Sequence, residues 1–224
     1  MVIFFDLVGT LFRLDRAGAA FRRHAVPEEV LPLWFARLLH VSMASTLSGR
    51  YAPFLACAES ALRQVLALRD LPDDAMSDTL AALRTLEPWP DTASCLADLR
   101  AAGHTLVALS NASLAMQRSL LEGGEIAGSF AATLSSDDVR HAKPHPLPYR
   151  RALEQLEVEA AGACMVAAHA WDVQGAAAVG LRTVWVSRVE KGWAFPGAPP
   201  GAVVSALGDI PPILGNAPAS RASS

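Results

Sequence analysis

Four side chains able to do chemistry stand at the ends of apolar runs in this 224-residue chain: Asp6, Ser110, Lys143 and Asp172. Asp6 closes the apolar run 2–5 and is followed by Leu7-Val8-Gly9-Thr10. Ser110 closes run 105–109, Asp172 follows run 164–168, and Lys143 lies in a proline-containing loop after run 130–134. Short runs rich in β-branched and aromatic residues read as buried strands. In a parallel sheet the carboxyl ends of the strands share one edge, where open α/β sheets hold ligands. Two carboxylates, a hydroxyl and an ammonium would then share one crevice, a set suited to nucleophilic attack or anion binding. Each has a plainer role when taken singly. Asp6 could open a turn, Ser110 and Asp172 could cap helices, and Lys143 could be a surface charge. Four such coincidences on one edge are harder to arrange than one site.

The elements that must position these residues alternate. Apolar residues at three- and four-residue spacing predict helices over 28–43, 53–68 and 73–86, directly after the first strand. A single βαβ crossover needs one helix, so this all-helical block reads as an insertion. From residue 87 the rhythm is helix 91–102, strand 105–109, helix 114–121, strand 130–134, helix 148–156, strand 164–168, helix 173–179 and strand 183–186. Asp91 or Thr92 would cap the first of these helices, and glycines close several of them. Strands alternating with helices give an α/β fold with a parallel sheet and right-handed crossovers. The expected organisation is a Rossmann-like core over 1–13 and 87–214, a helical cap over 14–86, and a small, polar tail over 215–224.

Composition narrows the function classes. Hydrophobic residues make up 52% and charged residues 18%, proportions of a well-buried globular protein. The net charge of −3 offers no basic face to nucleic acid or anionic lipid. No uninterrupted apolar run reaches membrane-spanning length, so no membrane partner is expected. Cys57, Cys95 and Cys164 form no CxxC pair and suit reduced thiols, which, with a chain that opens directly on a strand, implies a cytoplasmic protein.

The motifs Asp6-Leu7-Val8-Gly9-Thr10-Leu11, Leu109-Ser110-Asn111, Lys143-Pro144 and Trp171-Asp172 together resemble those of the haloacid dehalogenase superfamily, whose cap domain the helical block resembles. Phe12, Tyr149 and the run Ala170-Trp171-Asp172 before Gly175-Ala176 look most like the type II L-2-haloacid dehalogenases. The resemblance implies a hydrolase in which Asp6 attacks the halogen-bearing carbon and water then hydrolyses the ester. It implies that Thr10 and Lys143 hold the Asp6 carboxylate, and that Asp172 and Tyr149 support Lys143 and the water. Ser110 and nearby backbone N–H groups would hold the substrate carboxylate, with Leu7, Asn111, Phe35, Tyr149 and Trp171 completing the substrate contacts. The substrate would be a small 2-substituted carboxylic acid, no cofactor is expected, and the family leaves a homodimer open.

Departures from the family pattern carry as much information. Phosphatases of the superfamily place a second Asp two residues after the nucleophile, to protonate the leaving alcohol. Here that residue is Val8, which halide departure tolerates. Weak magnesium binding at Asp6 and Asp172 stays open, as does a magnesium-dependent phosphatase. The dehalogenases usually carry an Arg after a cap Trp; here Phe35 follows Trp34. Arg13, Arg37 or Arg50 would have to replace it. Trp34, Phe35, Trp171, Phe54 and Tyr51 are expected to form an apolar wall that favours a more apolar substrate. Their fourth motif carries Ser and Asn where this chain has Ala167 and His169. His169 is therefore expected among the catalytic residues, in the place of that Asn and as an activator of the hydrolytic water. Loss of these groups also admits a catalytically reduced member that acts as a binding protein.

Overall fold

The computed structural model describes residues 1–215. Its six strands form one all-parallel sheet: β1 (Val2–Phe5), β2 (Thr105–Ser110), β3 (Ala132–Ser135), β4 (Ala163–Ala167), β5 (Arg182–Val186) and β6 (Ala202–Val204), in the spatial order β3-β2-β1-β4-β5-β6. β1 is central, and the chain reverses direction of travel beside it, between β2 and β4. That reversal opens a crevice outside the strand ends. Side chains of β1 alternate between the two buried faces, Ile3 and Phe5 to one and Phe4 to the other. A strand covered on both faces reads as an unbroken apolar run, and this is why the first four-residue strand is legible.

The inserted block consists of α1 (Asp15–Arg23), α2 (Val30–Leu47), α3 (Phe54–Leu68) and α4 (Met76–Ala82). α2 packs along α3, and α1 against α4. Trp34 is buried inside this block, with its indole N–H donating to the Ala58 carbonyl at 2.9 Å and its ring 5.9 Å from Phe21. The block enters and leaves the core through adjacent segments. Phe12 bridges Pro88, Trp89 N–H donates to Leu11, Arg13 N–H donates to Glu87, and the Arg13–Glu87 side chains pair at 2.7 Å.

The remaining helices flank the sheet: α5 (Thr92–Ala101), α6 (Leu114–Gly123), α7 (Pro146–Gln155), α8 (Ala170–Ala178) and α9 (Ile210–Leu214). Several sequence expectations need correction. β6 and α9 were not foreseen, because glycines and prolines crowd 192–201 and Pro211-Pro212 interrupts the periodicity, and α1 is a further helix of the inserted block. α4 is shorter than 73–86, since the chain bends at its end to bury Leu83 and Leu86. α8 starts at Ala170 rather than 173, so Asp172 lies in its first turn. Asp91 is the N-cap residue of α5, as expected, but its carboxylate makes no bond to that helix: it pairs with Arg188 at 2.5 Å and accepts Leu207 N–H at 2.9 Å. α2 has the length and composition of a membrane span, with mean hydropathy 1.3 over 18 residues. Its single Arg37 interrupts the run without lowering the average enough. Of the expected tail, residues 216–224 lie outside the described residues.

Candidate active site

Asp6 is the first residue past β1, and its N–H still pairs with Val166 on β4 at 3.1 Å. The chain then turns back sharply. Leu11 and Phe12 N–H groups both donate to the Leu7 carbonyl, and Gly9 N–H donates to Phe12 at 2.7 Å. Gly9 holds φ +86°, a left-handed conformation that a side chain would disfavour. This turn returns Thr10 over the carboxylate, where its hydroxyl donates to Asp6 Oδ2 at 2.9 Å. The same hydroxyl oxygen accepts from Ala168 N–H at 2.9 Å, which ties the ends of β1 and β4 together.

Lys143 reaches Asp6 from the loop after β3. Asn111 clamps that loop: its Oδ1 accepts Lys143 N–H at 2.8 Å and its Nδ2 donates to the Lys143 carbonyl at 3.2 Å. The Lys143–Pro144 peptide is cis. The Lys143 ammonium is fully buried and donates to Asp6 Oδ1 at 3.1 Å, Asp172 Oδ2 at 2.5 Å and the Leu109 carbonyl at 2.8 Å. Burial would lower its pKa, but the Asp172 and Asp6 charges more than offset that and raise it, so it stays charged. Burial and the Asp6 charge push the Asp172 carboxyl above its ordinary value, against the pull of Lys143 and Tyr149. Tyr149 donates to Asp172 Oδ1 at 2.6 Å. Its phenol is pushed well up by burial and by Asp172, so it remains a donor. All four oxygens of Asp6 and Asp172 thus accept from side-chain donors.

His169 caps the start of α8 from a pocket of aromatic rings. Its ring centroid lies 5.4 Å from Phe35 and 5.5 Å from Trp171, nearly parallel to the latter at 12°. Nε2 is 3.1 Å from the Val8 carbonyl and Nδ1 is 3.1 Å from Glu190 Oε1. The other Glu190 oxygen accepts from Ala170 N–H at 2.8 Å. Burial would lower the ring's pKa, yet the Glu190 hydrogen bond with the Asp6 and Glu190 charges leaves it raised.

Asp6, Val8, Phe35, Leu39, Phe54, Ser110, Asn111, His169 and Trp171 line one cavity between the inserted helices and the strand ends. Its volume of about 10 Å³ is barely room for one water molecule. Of the residues expected from sequence, Asp6, Ser110, Asn111, Phe35, His169 and Trp171 meet here, and Thr10, Lys143 and Asp172 support Asp6. Leu7 has its side chain wholly buried in the core, which leaves its backbone N–H as the group it could offer a substrate. Two expectations are corrected. Tyr149 is likewise buried, behind Asp172, and does not reach the cavity. His169 lines the cavity, but its ring nitrogens face the Val8 carbonyl and Glu190, so neither is turned toward a water there.

The apolar wall is also rearranged. Phe35, Phe54 and Trp171 face the cavity, whereas Trp34 is inside the helical block and Tyr51 donates to Asp137. Among the described residues no arginine lines the cavity. Arg13 pairs with Glu87, Arg37 approaches His40 at 3.1 Å, and Arg50 is exposed. Ser110 caps no helix: Ser113 accepts from Met116 N–H in that role, and Ser110 Oγ accepts from Ala112 N–H. Sequence reasoning missed Leu39, one helical turn past Phe35, and Glu190, which looks like one charge of a surface loop. The only signal for Glu190 is its place after the carboxyl end of β5, on the site's own edge.

The chain matches the haloacid dehalogenase-like hydrolase family over residues 1–180. It is 34% identical over 217 residues to (S)-2-haloacid dehalogenase 1 of Pseudomonas sp. (strain CBS-3), covering 94% of each chain. It is 32% identical to (S)-2-haloacid dehalogenase 4A of Burkholderia cepacia, covering 94% of this chain and 93% of that one. The structure of L-2-haloacid dehalogenase from Xanthobacter autotrophicus with chloropropionic acid covalently bound superposes with a TM-score of 0.85 at 31% identity, covering 95% and 97% of the two chains.

Proposed function

The chain belongs to the haloacid dehalogenase-like hydrolases, and from that premise we propose that it cleaves the carbon–halogen bond of a small 2-haloacid with Asp6 as nucleophile. On this reading residues 14–86 are the cap, and 1–13 with 87–214 the catalytic core. One observation carries the proposal. Asp6 is held at both oxygens, by Thr10 and Lys143, and faces a cavity in which the neighbouring residue is the apolar Val8.

The chemistry follows from that arrangement. An Asp6 oxygen attacks the substrate's α-carbon, an ester bond forms, and the carbon–halogen bond breaks with its electron pair leaving on the halide. Halide needs no proton, so Val8 costs nothing at this step. Water then attacks the ester carbonyl, releasing the 2-hydroxyacid and restoring the Asp6 carboxylate. The Lys143–Asp172 pair, joined at 2.5 Å, takes the proton that the water gives up and returns it to the departing alkoxide oxygen, while the new Asp6 carboxyl releases its own proton to solvent. A carboxyl whose pKa burial has raised is a better proton acceptor than an ordinary one. Ser110, at the cavity wall, is the hydroxyl available to the substrate carboxylate.

Magnesium does not fit these residues. The ammonium of Lys143 already bridges Asp6 and Asp172, and Thr10 and Tyr149 take the remaining oxygens. The phosphatase alternative lacks both a metal site and a proton donor at Val8. The three free, buried cysteines support a reducing, cytoplasmic setting.

The test is mass spectrometry of the protein quenched during turnover of 2-chloropropionate. A propionate ester on the Asp6 peptide is expected, and turnover in heavy-oxygen water places the label in the Asp6 carboxylate. Magnesium-dependent phosphate release from p-nitrophenyl phosphate, with no ester, would reverse the reading.

A further inference from the structure

The cavity presents a problem for an anionic ligand. Asp6 is itself a carboxylate, no arginine lines the wall among the described residues, and the three Lys143 hydrogens go to Asp6, Asp172 and the Leu109 carbonyl. Something else must offset the second negative charge. His169 is the remaining basic side chain on the wall.

Its protonation is fixed by what its two nitrogens face. A backbone carbonyl can only accept, so Nε2 opposite Val8 carries a proton. Glu190 receives the Ala170 N–H on one oxygen and the His169 ring on the other, the behaviour of an ionised carboxylate, so Nδ1 carries a proton as well. A ring with two N–H groups is an imidazolium. The aromatic faces of Phe35 and Trp171 on its flanks suit a cation. Glu190 is 26% exposed at its side chain, so solvent screens its charge, while the ring is sealed against the cavity.

We propose that Glu190 holds His169 as an imidazolium at neutral pH, and that this ring is the positive charge that receives a monovalent anion in the cavity. It rests on the dehalogenase reading in taking the ligand to be an anion. His169 acts through space and through its C–H edge, because both N–H groups are engaged. Glu190 is a positioning residue: it does not touch the ligand, and it acts by holding the ring's second proton. The charged groups that face the ring are Glu190 and Asp6, with Lys143 and Asp172 behind Asp6.

The experiment is nitrogen NMR of the full chain labelled at histidine, at about pH 7.5, where an ordinary imidazole is mostly neutral. His169 is expected to show two protonated nitrogens. Its signals should shift on titration with sodium bromide or sodium propionate and stay fixed with propionamide. Bromide identifies a leaving-group pole, and propionate a carboxylate pole. In Glu190→Gln the ring should lose one proton at this pH and bind these anions about tenfold more weakly. A neutral His169 ring in the parent protein, or a parent ring indifferent to both anions, overturns the proposal without any variant. So does a Glu190→Gln protein, folded by circular dichroism, whose ring titrates like the parent's. An ester on Asp6 with an indifferent ring would sink this inference alone. A responsive ring in a protein that forms no ester would sink the dehalogenase reading alone.

Discussion

Gly9 lies directly under His169: a β-carbon built there would be 2.4 Å from Nε2 and 2.9 Å from Cε1. The turn that presents Thr10 to Asp6 therefore also sets the floor on which the imidazole ring rests. Gly9→Ala has two faults, a left-handed φ of +86° and a collision that the stacked ring cannot escape. It should lose about 1–3 kcal/mol of stability in urea unfolding and most of its dehalogenase turnover. A stable, fully active variant would show that the ring has room to move.

Lys143→Met tests the buried ion pair. It leaves Asp6 and Asp172 in one dry site with no cation between them, and breaking a buried pair in this way costs about 3–5 kcal/mol. Activity should vanish. Lys143→Arg should not restore it, because a planar guanidinium cannot occupy the point where Asp6, Asp172 and the Leu109 carbonyl converge. Denaturant midpoints and ester formation measure the two effects.

Tyr149→Phe removes one hydroxyl and nothing from the cavity. Asp172 Oδ1 then loses its 2.6 Å donor, a cost of about 1–3 kcal/mol for a buried charged acceptor. Because Tyr149 does not touch the ligand, kcat should fall about tenfold or more while KM stays close to the parent value. Gly175→Ala should copy this loss, since its β-carbon would lie 2.8 Å from the same hydroxyl and 2.6 Å from Pro144.

His169 gives stability a pH dependence whose sign is fixed. Its folded pKa is raised, so the folded state holds its proton more tightly than the unfolded chain. That contribution is complete below about pH 6.5, the unfolded value, and is lost as pH rises through the folded one. Urea midpoints should fall as pH increases from about 6.5 into the alkaline range. The Glu190→Gln variant should flatten that slope; an unchanged slope would place its origin elsewhere.

Much of this site was legible because parallel sheets bury both faces of a strand. Unbroken apolar runs ending on Asp6 and Ser110 are hard to misread, and the sheet then brings their ends together. Lys143 was legible only through its motif, since seven residues separate it from Ser135 at the end of β3 and nothing local says that Asn111 clamps its backbone. The role of His169 was misjudged because sequence shows a titratable ring but not its two acceptors. One of those is a backbone carbonyl, which every residue possesses, and the other comes from a loop whose charges look like solvated surface. Tyr149 and Trp34 were likewise placed in the right neighbourhood and on the wrong side of it, because helical spacing tells which face is buried but not what is buried against it.

The paired segments at Phe12 and Pro88 bear on the timing of the reaction. A cavity of about 10 Å³ has no room for a three-carbon acid, so a substrate can enter only where Phe35, Leu39 and Phe54 give way on the block's side of it. Its two tethers run side by side and are joined by the Phe12–Pro88 bridge and the Arg13–Glu87 pair, so a swing of the block would pivot at that seam, as on a door with one hinge post. Phe35 and Phe54 ride on the door while Asp6 and His169 stay with the frame. Opening and closing at that seam would build the reaction vessel anew around each substrate molecule.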